Sequence, residues 1–386
     1  MMTNNSSEFR YSVVLLMAVM WLLPQVLMAQ ISVANLRVEN LVNPLGIDTQ
    51  RPRFSWTIEA VKEKDVVQTG YELVVDSDGR ELWRSGRVDT DQQLWIPYGG
   101  KPLTSGQYCT WRLKVYTNKG ETAWSADQHF SIGLLTESQW NGYWIGLESL
   151  QQGEQRGISP RLSARYLRKQ FKLRGGAVRR ATAYVSGLGL YRLYIGGEEV
   201  GADDLLKPAP SDYRKTIYYN TYDVTGLMKD SFVVGIVVGN GRYFPMRQNK
   251  PYKTPVFGLP KCRLNILVEY ADGARQRLVT DDSWRMTAQG PIRANNEYDG
   301  EEYDARMELD GWLQPDYDDS HWLQAERTAL PDGTLRGQTM PCMRAEAAPF
   351  KATPTGKGHI YDFGQNMAGW VSLVPKGKAG DTIRVR

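Results

Sequence analysis

Three acidic side chains near residue 300 are the residues in this chain that most resemble a pair of catalytic carboxylates. Glu301, Glu302 and Asp304 lie within Gly300–Arg306, where Glu302 and Asp304 would share one face of a β-strand about 7 Å apart. That separation permits general acid–base chemistry between two carboxyl groups. Strand carboxylates more often pair with arginine, however, and Arg306 is close in sequence. We therefore expect structural or sugar-contacting roles for Glu302 and Asp304, and we assign no catalytic residue.

Loops rich in tyrosine, aspartate, asparagine and arginine precede and flank this acidic cluster. They are Asp203–Asp204, Ser211–Arg214, Gly239–Tyr243 and Asn295–Tyr298. Aromatic rings can stack on the C–H faces of a sugar, while amides and carboxylates bond its hydroxyl groups. A rigid β scaffold that displays such loops suits carbohydrate binding. A β-sandwich with ordinary polar loops is the alternative.

Other catalytic and cofactor motifs are missing from the sequence. Gly187-x-Gly189 and Gly239-x-Gly241 lack the third glycine and the following helix of a dinucleotide site, and there is no P-loop and no G-x-S-x-G elbow. The three histidines are widely spaced, which argues against a histidine-based metal site or triad.

Three cysteines, Cys109, Cys262 and Cys342, are far apart and form no C-x-x-C motif. We expect three buried thiols, one in each proposed domain, and neither a zinc site nor a redox motif.

Alternating apolar and polar residues predict the strands that hold these loops. Tyr191, Leu193 and Ile195 share one face of a strand, and Gly196-Gly197 supplies a two-residue hairpin turn. Phe232–Val238 is a β-branched run that should be buried on both faces. No long apolar stripe with a 3.6-residue period occurs. The sequence therefore predicts a mainly β protein of consecutive antiparallel β-sandwiches.

The chain divides into four predicted parts. Residues 1–29 read as a signal peptide, 30–135 as a fibronectin type III-like sandwich, 136–328 as a jelly-roll-like sandwich, and 329–386 as an incomplete third sandwich. Sandwiches of the first kind are more often spacers than binding sites. The polar stretch Glu148–Pro160 is expected to be an exposed loop, and the tail from Leu330 is expected to be loose.

The amino terminus indicates export. Arg10 precedes the apolar run Val13–Leu23, and a small residue stands at the expected cleavage point, Ala29-Gln30. The run is short for a membrane span; an uncleaved N-terminal anchor is the alternative. The mature protein should be periplasmic, extracellular or on the cell surface, with no membrane span. The full 386-residue chain has a net charge of +4, from 47 basic and 43 acidic residues, a balance that does not favour nucleic acid as a partner.

Four short motifs together carry a family resemblance. The first group runs from Gly187-Leu188-Gly189-Leu190-Tyr191 to Val200-Gly201, and the second from Asp212-Tyr213-Arg214 to Gly239-Asn240-Gly241-Arg242-Tyr243. The third runs from Asp281-Asp282-Ser283-Trp284 to Gly300–Arg306. The fourth joins Asp362-Phe363-Gly364-Gln365-Asn366 to Gly369-Trp370. In this order and spacing the chain resembles the N-terminal part of a bacterial α-L-rhamnosidase of glycoside hydrolase family 78.

The resemblance implies hydrolysis of terminal α-linked L-rhamnose with inversion, by two carboxylates about 6.5–9.5 Å apart. In such enzymes those carboxylates lie on an (α/α)6 barrel, and no helical pattern of that kind is found here. The polypeptide alone is therefore expected to be inactive, with rhamnose-containing oligo- or polysaccharides as its partners. A stand-alone protein that binds such glycans, and a spacer without any ligand, are the alternatives.

The middle sandwich also resembles sugar-binding modules that hold calcium. The resemblance makes Asp203, Asp204, Asn240 and the Pro245 carbonyl candidate ligands, because calcium prefers six to eight oxygen atoms. The alternatives are structural. Asp203 and Asp204 would cap a short turn, and Asn240 would stand between two glycines because asparagine tolerates positive φ.

Tyr213, Arg242 and Tyr243 are candidate contacts for a sugar face. Packing within their loops is the alternative reading of all three.

Overall fold

The structure is a computed structural model, and it describes residues 31–156, 159–251, 253–356, 358–374, 376–378 and 380–382. The predicted signal peptide lies outside the described residues. The chain divides into two compact units, residues 1–135 and 136–386. In the described part of the chain, helical structure consists of three 3-10 turns, Glu137–Gln139, Thr225–Leu227 and Ala305–Met307. No helix there is long and apolar enough to cross a membrane.

The first unit is a β-sandwich, as the alternating sequence predicts. Its strands are β1 (Ile31–Val38), β2 (Arg53–Ala60), β3 (Gln68–Ser77), β4 (Arg80–Arg84), β5 (Ile96–Pro97), β6 (Tyr108–Thr117), β7 (Gly120–Glu121) and β8 (Gln128–Ser131). One sheet has the order β1-β2-β5, and the other β4-β3-β6-β7 with β8 on β6. Trp56 and Trp111, each 1% exposed, are central to its core.

The second unit contains the remaining strands. They are β9 (Ile145–Gly146), β10 (Gln155–Arg156), β11 (Ser159–Pro160), β12 (Arg165–Lys172), β13 (Val178–Leu188), β14 (Leu190–Ile195), β15 (Glu198–Val200), β16 (Thr216–Asp223), β17 (Ser231–Gly239), β18 (Lys261–Tyr270), β19 (Arg275–Val279), β20 (Arg285–Thr287), β21 (Ile292–Asn296), β22 (Gly300–Tyr303), β23 (Leu323–Gln324), β24 (Glu326–Arg327), β25 (Thr334–Gly337), β26 (Lys351–Thr355) and β27 (Gly358–Asp362).

Two sheets of this unit pack face to face. The first has the order β15-β14-β17-β12-β20-β23, and the second β24-β9-β18-β13-β16-β25 with β19 on β18. Side chains from both sheets share one core, including Leu193 and Ile236 from the first and Leu264 and Ile266 from the second. The predicted faces of β14 and the fully buried run in β17 are confirmed.

Two irregular segments cover the outer faces of these sheets, and each is held by a buried arginine. Arg168, 3% exposed, donates from Nε to the carbonyl of Trp312 at 2.7 Å and pairs with Asp319. Arg263, 4% exposed, donates to the carbonyl of Gly142 at 2.7 Å. We call residues 136–144 the N-terminal strap and residues 304–322 the outer strap.

A glycine in the middle of a strand makes room for the outer strap. A Cβ atom on Gly235 of β17 would lie 2.3 Å from Leu313 Cδ2 and 2.7 Å from the Trp312 ring. The strap can therefore rest directly on the backbone of β17. Trp312 packs beside Trp322, which is 3% exposed, in a second small core on this face.

The second sandwich continues beyond the boundary predicted after residue 328. β25 pairs in parallel with β16, from Thr216 opposite Thr334 to Tyr219 opposite Gly337. Further on, Leu205 and Met343 form a β-bridge. Leu335 buries its side chain in the sandwich, with 8% exposed, which is why this segment joins the second unit rather than a third domain.

The third sandwich is represented by one hairpin, in which β26 pairs with β27. All five residues of β26 are exposed. Cys342 belongs with the second unit and is only partly buried, whereas Cys109 and Cys262 are fully buried as predicted. The expectation of three buried thiols in three domains was therefore wrong for Cys342.

Candidate functional site

The β21–β22 hairpin carries the most exposed of the polar loops that the sequence singled out. Its tip is tied down by Asn296, whose Oδ1 accepts hydrogen bonds from the backbone N–H groups of Tyr298 at 2.8 Å and Asp299 at 2.7 Å. This Asx-type turn satisfies two backbone donors of the tip, whose acidic side chains bond to the neighbouring loop, Glu297 to Arg242 and Asp299 to the N–H of Gln248.

Asn240 fastens the neighbouring loop to this hairpin. It is 2% exposed, and its Nδ2 donates to the carbonyls of Leu162 at 2.9 Å and Asn295 at 2.6 Å. Its own N–H donates to Asn295 Oδ1 at 2.7 Å. Gly189 lies between β13 and β14, and a Cβ atom on it would be 2.2 Å from the Asn240 carbonyl oxygen. The loop of Asn240 can therefore approach this connection closely only because residue 189 is glycine.

A tyrosine ring and two guanidinium groups form the outer surface here; we call Arg242, Arg247, Glu297 and Tyr298 the hairpin site. Arg247 Cζ lies 4.5 Å from the centroid of the Tyr298 ring, which is 41% exposed. Arg242 pairs with Glu297 at 2.7 Å and reaches the Tyr298 hydroxyl at 3.5 Å. An exposed ring backed by a cation and edged by charged hydrogen-bonding groups can present one face to a sugar.

The other two aromatic candidates are buried. Tyr213 and Tyr243, 5% and 3% exposed, meet edge to face at 5.2 Å between ring centroids. Phe257 contacts both rings, at 5.1 Å and 6.0 Å. Burial raises the pKa of each tyrosine to about 12. In this arrangement the two tyrosines pack the loop, and of the three predicted sugar contacts Arg242 alone reaches the surface.

The two carboxylates predicted to share a strand face do not form a pair. Glu302 lies on β22 and pairs with Arg161. Asp304 follows the strand, where it caps the 3-10 turn by accepting from the N–H of Arg306. Hydrogen bonds from Arg306 hold the pKa of Asp304 at about 2. Both carboxylates thus have the arginine partners that the sequence analysis weighed against catalysis.

The four predicted calcium ligands have different surroundings. Asp203 is exposed, and Asp204 lies 3.5 Å from Arg344. Asn240 keeps one buried oxygen, Oδ1, without a hydrogen-bond partner, and the buried Pro245 follows in the same loop. In the described residues no group of three or more histidine, cysteine, aspartate or glutamate side chains is placed to hold a metal ion. The four candidates come from two loops, β15–β16 and β17–β18, and the assignment of their oxygen atoms to calcium stays a prediction.

The polar stretch Glu148–Pro160 contains a buried residue that the sequence analysis missed. Glu154 and Arg165 are both 1% exposed in their side chains and form an ion pair. Glu154 also accepts hydrogen bonds from the N–H groups of Gln151 at 2.7 Å and Ser163 at 3.0 Å. Nothing in the local pattern marks Glu154, because its partner lies eleven residues away, on β12. Arg247 was also missed, because its contact with the Tyr298 ring joins two loops that are far apart in sequence.

Comparison with known families matches three consecutive regions. Residues 33–136 match the Rha78A-like N-terminal immunoglobulin domain, residues 176–347 the alpha-L-rhamnosidase N-terminal domain, and residues 352–386 the bacterial alpha-L-rhamnosidase concanavalin-like domain. The second match ends well beyond residue 328, in agreement with the position of β25.

Individual relatives share these regions. An alpha-L-rhamnosidase of Alteromonas sp. (strain LOR) is 32% identical over 90% of this chain, and one of Formosa agariphila is 33% identical over 89%. The chain spans 39% of the length of each. A solved alpha-L-rhamnosidase structure from Dictyoglumus thermophilum is 34% identical, with a TM-score of 0.74, and the match covers 87% of this chain and 38% of that one.

A second solved structure shows the same fold at lower identity. It is the Streptomyces avermitilis alpha-L-rhamnosidase complexed with L-rhamnose, 22% identical with a TM-score of 0.76, covering 87% of this chain and 49% of that one.

Proposed function

Starting from a chain that carries the N-terminal domains of bacterial α-L-rhamnosidases of glycoside hydrolase family 78, we propose that residues 31–347 are the non-catalytic sandwich region of an exported α-L-rhamnosidase. In this role the two sandwiches support an enzyme that removes terminal α-L-rhamnose from oligo- or polysaccharides. The 386-residue polypeptide, assayed alone, does not hydrolyse rhamnosides.

The pairing of Asp304 with Arg306 is the observation that supports the non-catalytic role. A general acid must be protonated at the working pH, and a carboxyl group with a pKa of about 2 is not. Glu302, the other carboxylate of the predicted pair, lies against Arg161. Asp304 is therefore not suited to protonate a leaving group.

Activity of the purified 386-residue chain on an aryl α-L-rhamnoside tests this role. We expect release of the aryl group at the rate of the buffer alone. Hydrolysis that is lost in both Glu302→Gln and Asp304→Asn would show instead that these two residues are catalytic.

The proposed export rests on the charged and apolar pattern of residues 1–29. Amino-terminal sequencing of the protein recovered outside the cytoplasm should begin near Gln30. Recovery of a membrane-bound chain that still begins at residue 1 would favour the uncleaved anchor.

The hairpin site favours a second candidate function, binding of rhamnose-containing glycans without cleavage. The Tyr298 ring is exposed and has hydrogen-bonding groups at its edge, as described above. Calorimetric titration with L-rhamnose, with and without calcium, tests this candidate. Heat of binding that disappears in Tyr298→Ala supports it, and a flat titration under both conditions excludes it.

A further inference from the structure

Trp95 of the first unit is displayed in an unusual way. It is 40% exposed and follows Leu94, which is 58% exposed. Its backbone φ is +59°, in the left-handed region that a bulky side chain rarely adopts. A residue is held in such a conformation only when its surroundings fix it, and such positions concentrate at binding sites.

The loop that displays Trp95 is fixed from several sides. Gln68, 2% exposed, donates from Nε2 to the carbonyls of Thr90 at 3.1 Å and Gln92 at 2.8 Å. The N–H of Trp95 itself donates to Ser55 Oγ at 3.0 Å. The exposed ring is therefore carried by an ordered loop, so that binding a ligand would cost little ordering of the protein.

One face of the Trp95 ring is already covered by a cation. Arg53 Cζ lies 4.2 Å from the ring centroid. Arg53 is locked in turn by Glu39, which accepts from its Nη2 at 2.6 Å, its Nε at 3.1 Å and its backbone N–H at 2.7 Å. Arg53 covers one face of the ring only, and its own side chain is 49% exposed.

We propose that Trp95, Leu94 and Arg53 form a sugar-binding platform that takes a 6-deoxyhexose residue of the glycan. The C–H face of the sugar ring stacks on the face of Trp95 opposite Arg53, its methyl group contacts Leu94, and Arg53 holds the tryptophan ring from behind. The choice of a 6-deoxyhexose rests on the proposed function, and the platform itself rests on the geometry of the first unit.

Trp124 provides a matched control in the same unit. It is 37% exposed, close to the value for Trp95, and it also has an arginine near its ring, Arg112 at 5.7 Å. Its φ is not in the left-handed region. A Trp124 variant therefore shows the effect of removing any exposed tryptophan, and a Trp95 variant shows the effect of removing the platform.

The experiment titrates the full 386-residue chain with methyl α-L-rhamnoside by calorimetry. We expect Trp95→Gly to raise the Kd at least about tenfold, as for removal of a central binding residue, and Trp124→Ala to leave it unchanged. Glycine is chosen because it adopts the left-handed backbone without strain, and the thermal unfolding midpoint of the variant confirms that it folds. A Trp95→Gly chain that folds and binds like the wild type overturns the proposal.

Sugar selectivity tests the role of Leu94. Methyl α-L-mannoside differs from the rhamnoside by one hydroxyl group on C6, so the wild type should bind it more weakly, and Leu94→Ser should remove this preference. Equal binding of both sugars by the wild type overturns the assignment to 6-deoxyhexoses. Binding that survives Trp95→Gly and is lost in Tyr298→Ala refutes the platform and leaves the hairpin site standing. The inactive-scaffold role is judged separately, by the hydrolysis assay.

Discussion

Arg263 donates a hydrogen bond from Nε to the carbonyl of Gly142 across 2.7 Å, from the outer face of β18 to the N-terminal strap. The strap is held at three further points. Asn265 Oδ1 accepts from the N–H of Gly142 at 2.8 Å, Asn265 Nδ2 donates to the carbonyl of Gln139 at 3.4 Å, and Thr280 Oγ1 donates to the carbonyl of Tyr143 at 2.7 Å. The irregular backbone of the strap thus has side-chain partners in place of a sheet ladder.

Replacing Arg263 by methionine should loosen this strap. The change leaves the carbonyl of Gly142 and its surroundings without their buried charged donor, and we expect a loss of about 2–3 kcal/mol in the free energy of unfolding. Urea unfolding followed by tryptophan fluorescence measures it. Arg306→Met, which removes an arginine that is 89% exposed, is the control and should stay within about 0.5 kcal/mol of the wild type. Equal stability of the two variants would show that the strap does not depend on Arg263.

The buried pair of Glu154 and Arg165 predicts an asymmetric response to mutation. Glu154→Gln leaves the Arg165 guanidinium buried without its counter-charge and should cost about 3–5 kcal/mol. The double variant Glu154→Gln with Arg165→Met removes the orphaned charge and should recover part of that loss. Thermal and urea unfolding of the three proteins measure the difference. A double variant less stable than Glu154→Gln would contradict this account.

Burial of tyrosine hydroxyls predicts a loss of stability in alkali. Tyr213 and Tyr243 have a pKa of about 12 in the folded protein because burial disfavours the phenolate, whereas in the unfolded chain tyrosine titrates near pH 10. Their contribution is fully present below about pH 10 and is lost as the pH rises through about 12. Urea unfolding at a series of pH values should show this fall, and Tyr213→Phe with Tyr243→Phe should make it less steep, while Tyr166 and Tyr184, whose pKa burial also raises to about 12, sustain the rest. An unchanged pH profile in that double variant would exclude these tyrosines as the cause.

Two shortened chains test where the second sandwich ends. A chain that stops after residue 347 keeps β25, the buried side chain of Leu335, and the hydrogen bonds that Gln338 Oε1 accepts from the N–H of Ala209 at 2.9 Å and Asn220 Nδ2 at 3.1 Å. A chain that stops after residue 328 loses them and should be less stable by about 1–3 kcal/mol. Limited proteolysis of the full chain should accordingly stop near residue 345. Equal melting temperatures of the two chains would restore the boundary at 328.

Much of the fold could be predicted from the sequence because it follows from local patterns. The alternation in β14 and the apolar run in β17 were sufficient to place those strands and their buried faces. Gly196 and Gly197, with φ of +59° and +91°, form the turn between β14 and β15 as expected.

Long-range pairing was harder to predict. β25 contributes one side chain to the sandwich that is well buried, Leu335, and its parallel pairing with β16 joins residues more than a hundred positions apart. A four-residue segment of this kind carries no local signal for the sheet that it joins.

The site residues also fall into those that local sequence patterns could mark and those that depend on contacts with other segments. The sequence marked Asn295–Tyr298 and Gly239–Tyr243 as loops with polar and aromatic side chains, and the structure places Asn295 and Asn296 in β21 and Gly239 at the end of β17. It could not show that Tyr243 turns inward while Arg242, its neighbour, remains 48% exposed in its side chain. That difference depends on Phe257, which contacts the Tyr243 ring from later in the same connection between β17 and β18.

The strand β25 also covers a sheet edge that could otherwise pair with another molecule. It occupies the open edge of β16, where Ile217 and Tyr219 are completely buried and the backbone would otherwise offer hydrogen bonds to a strand of another molecule. Because β25 is only four residues long, the edge that it presents in turn is too short to template a fibril. The four residues of β25 therefore protect the edge of a much larger sandwich from pairing with another molecule.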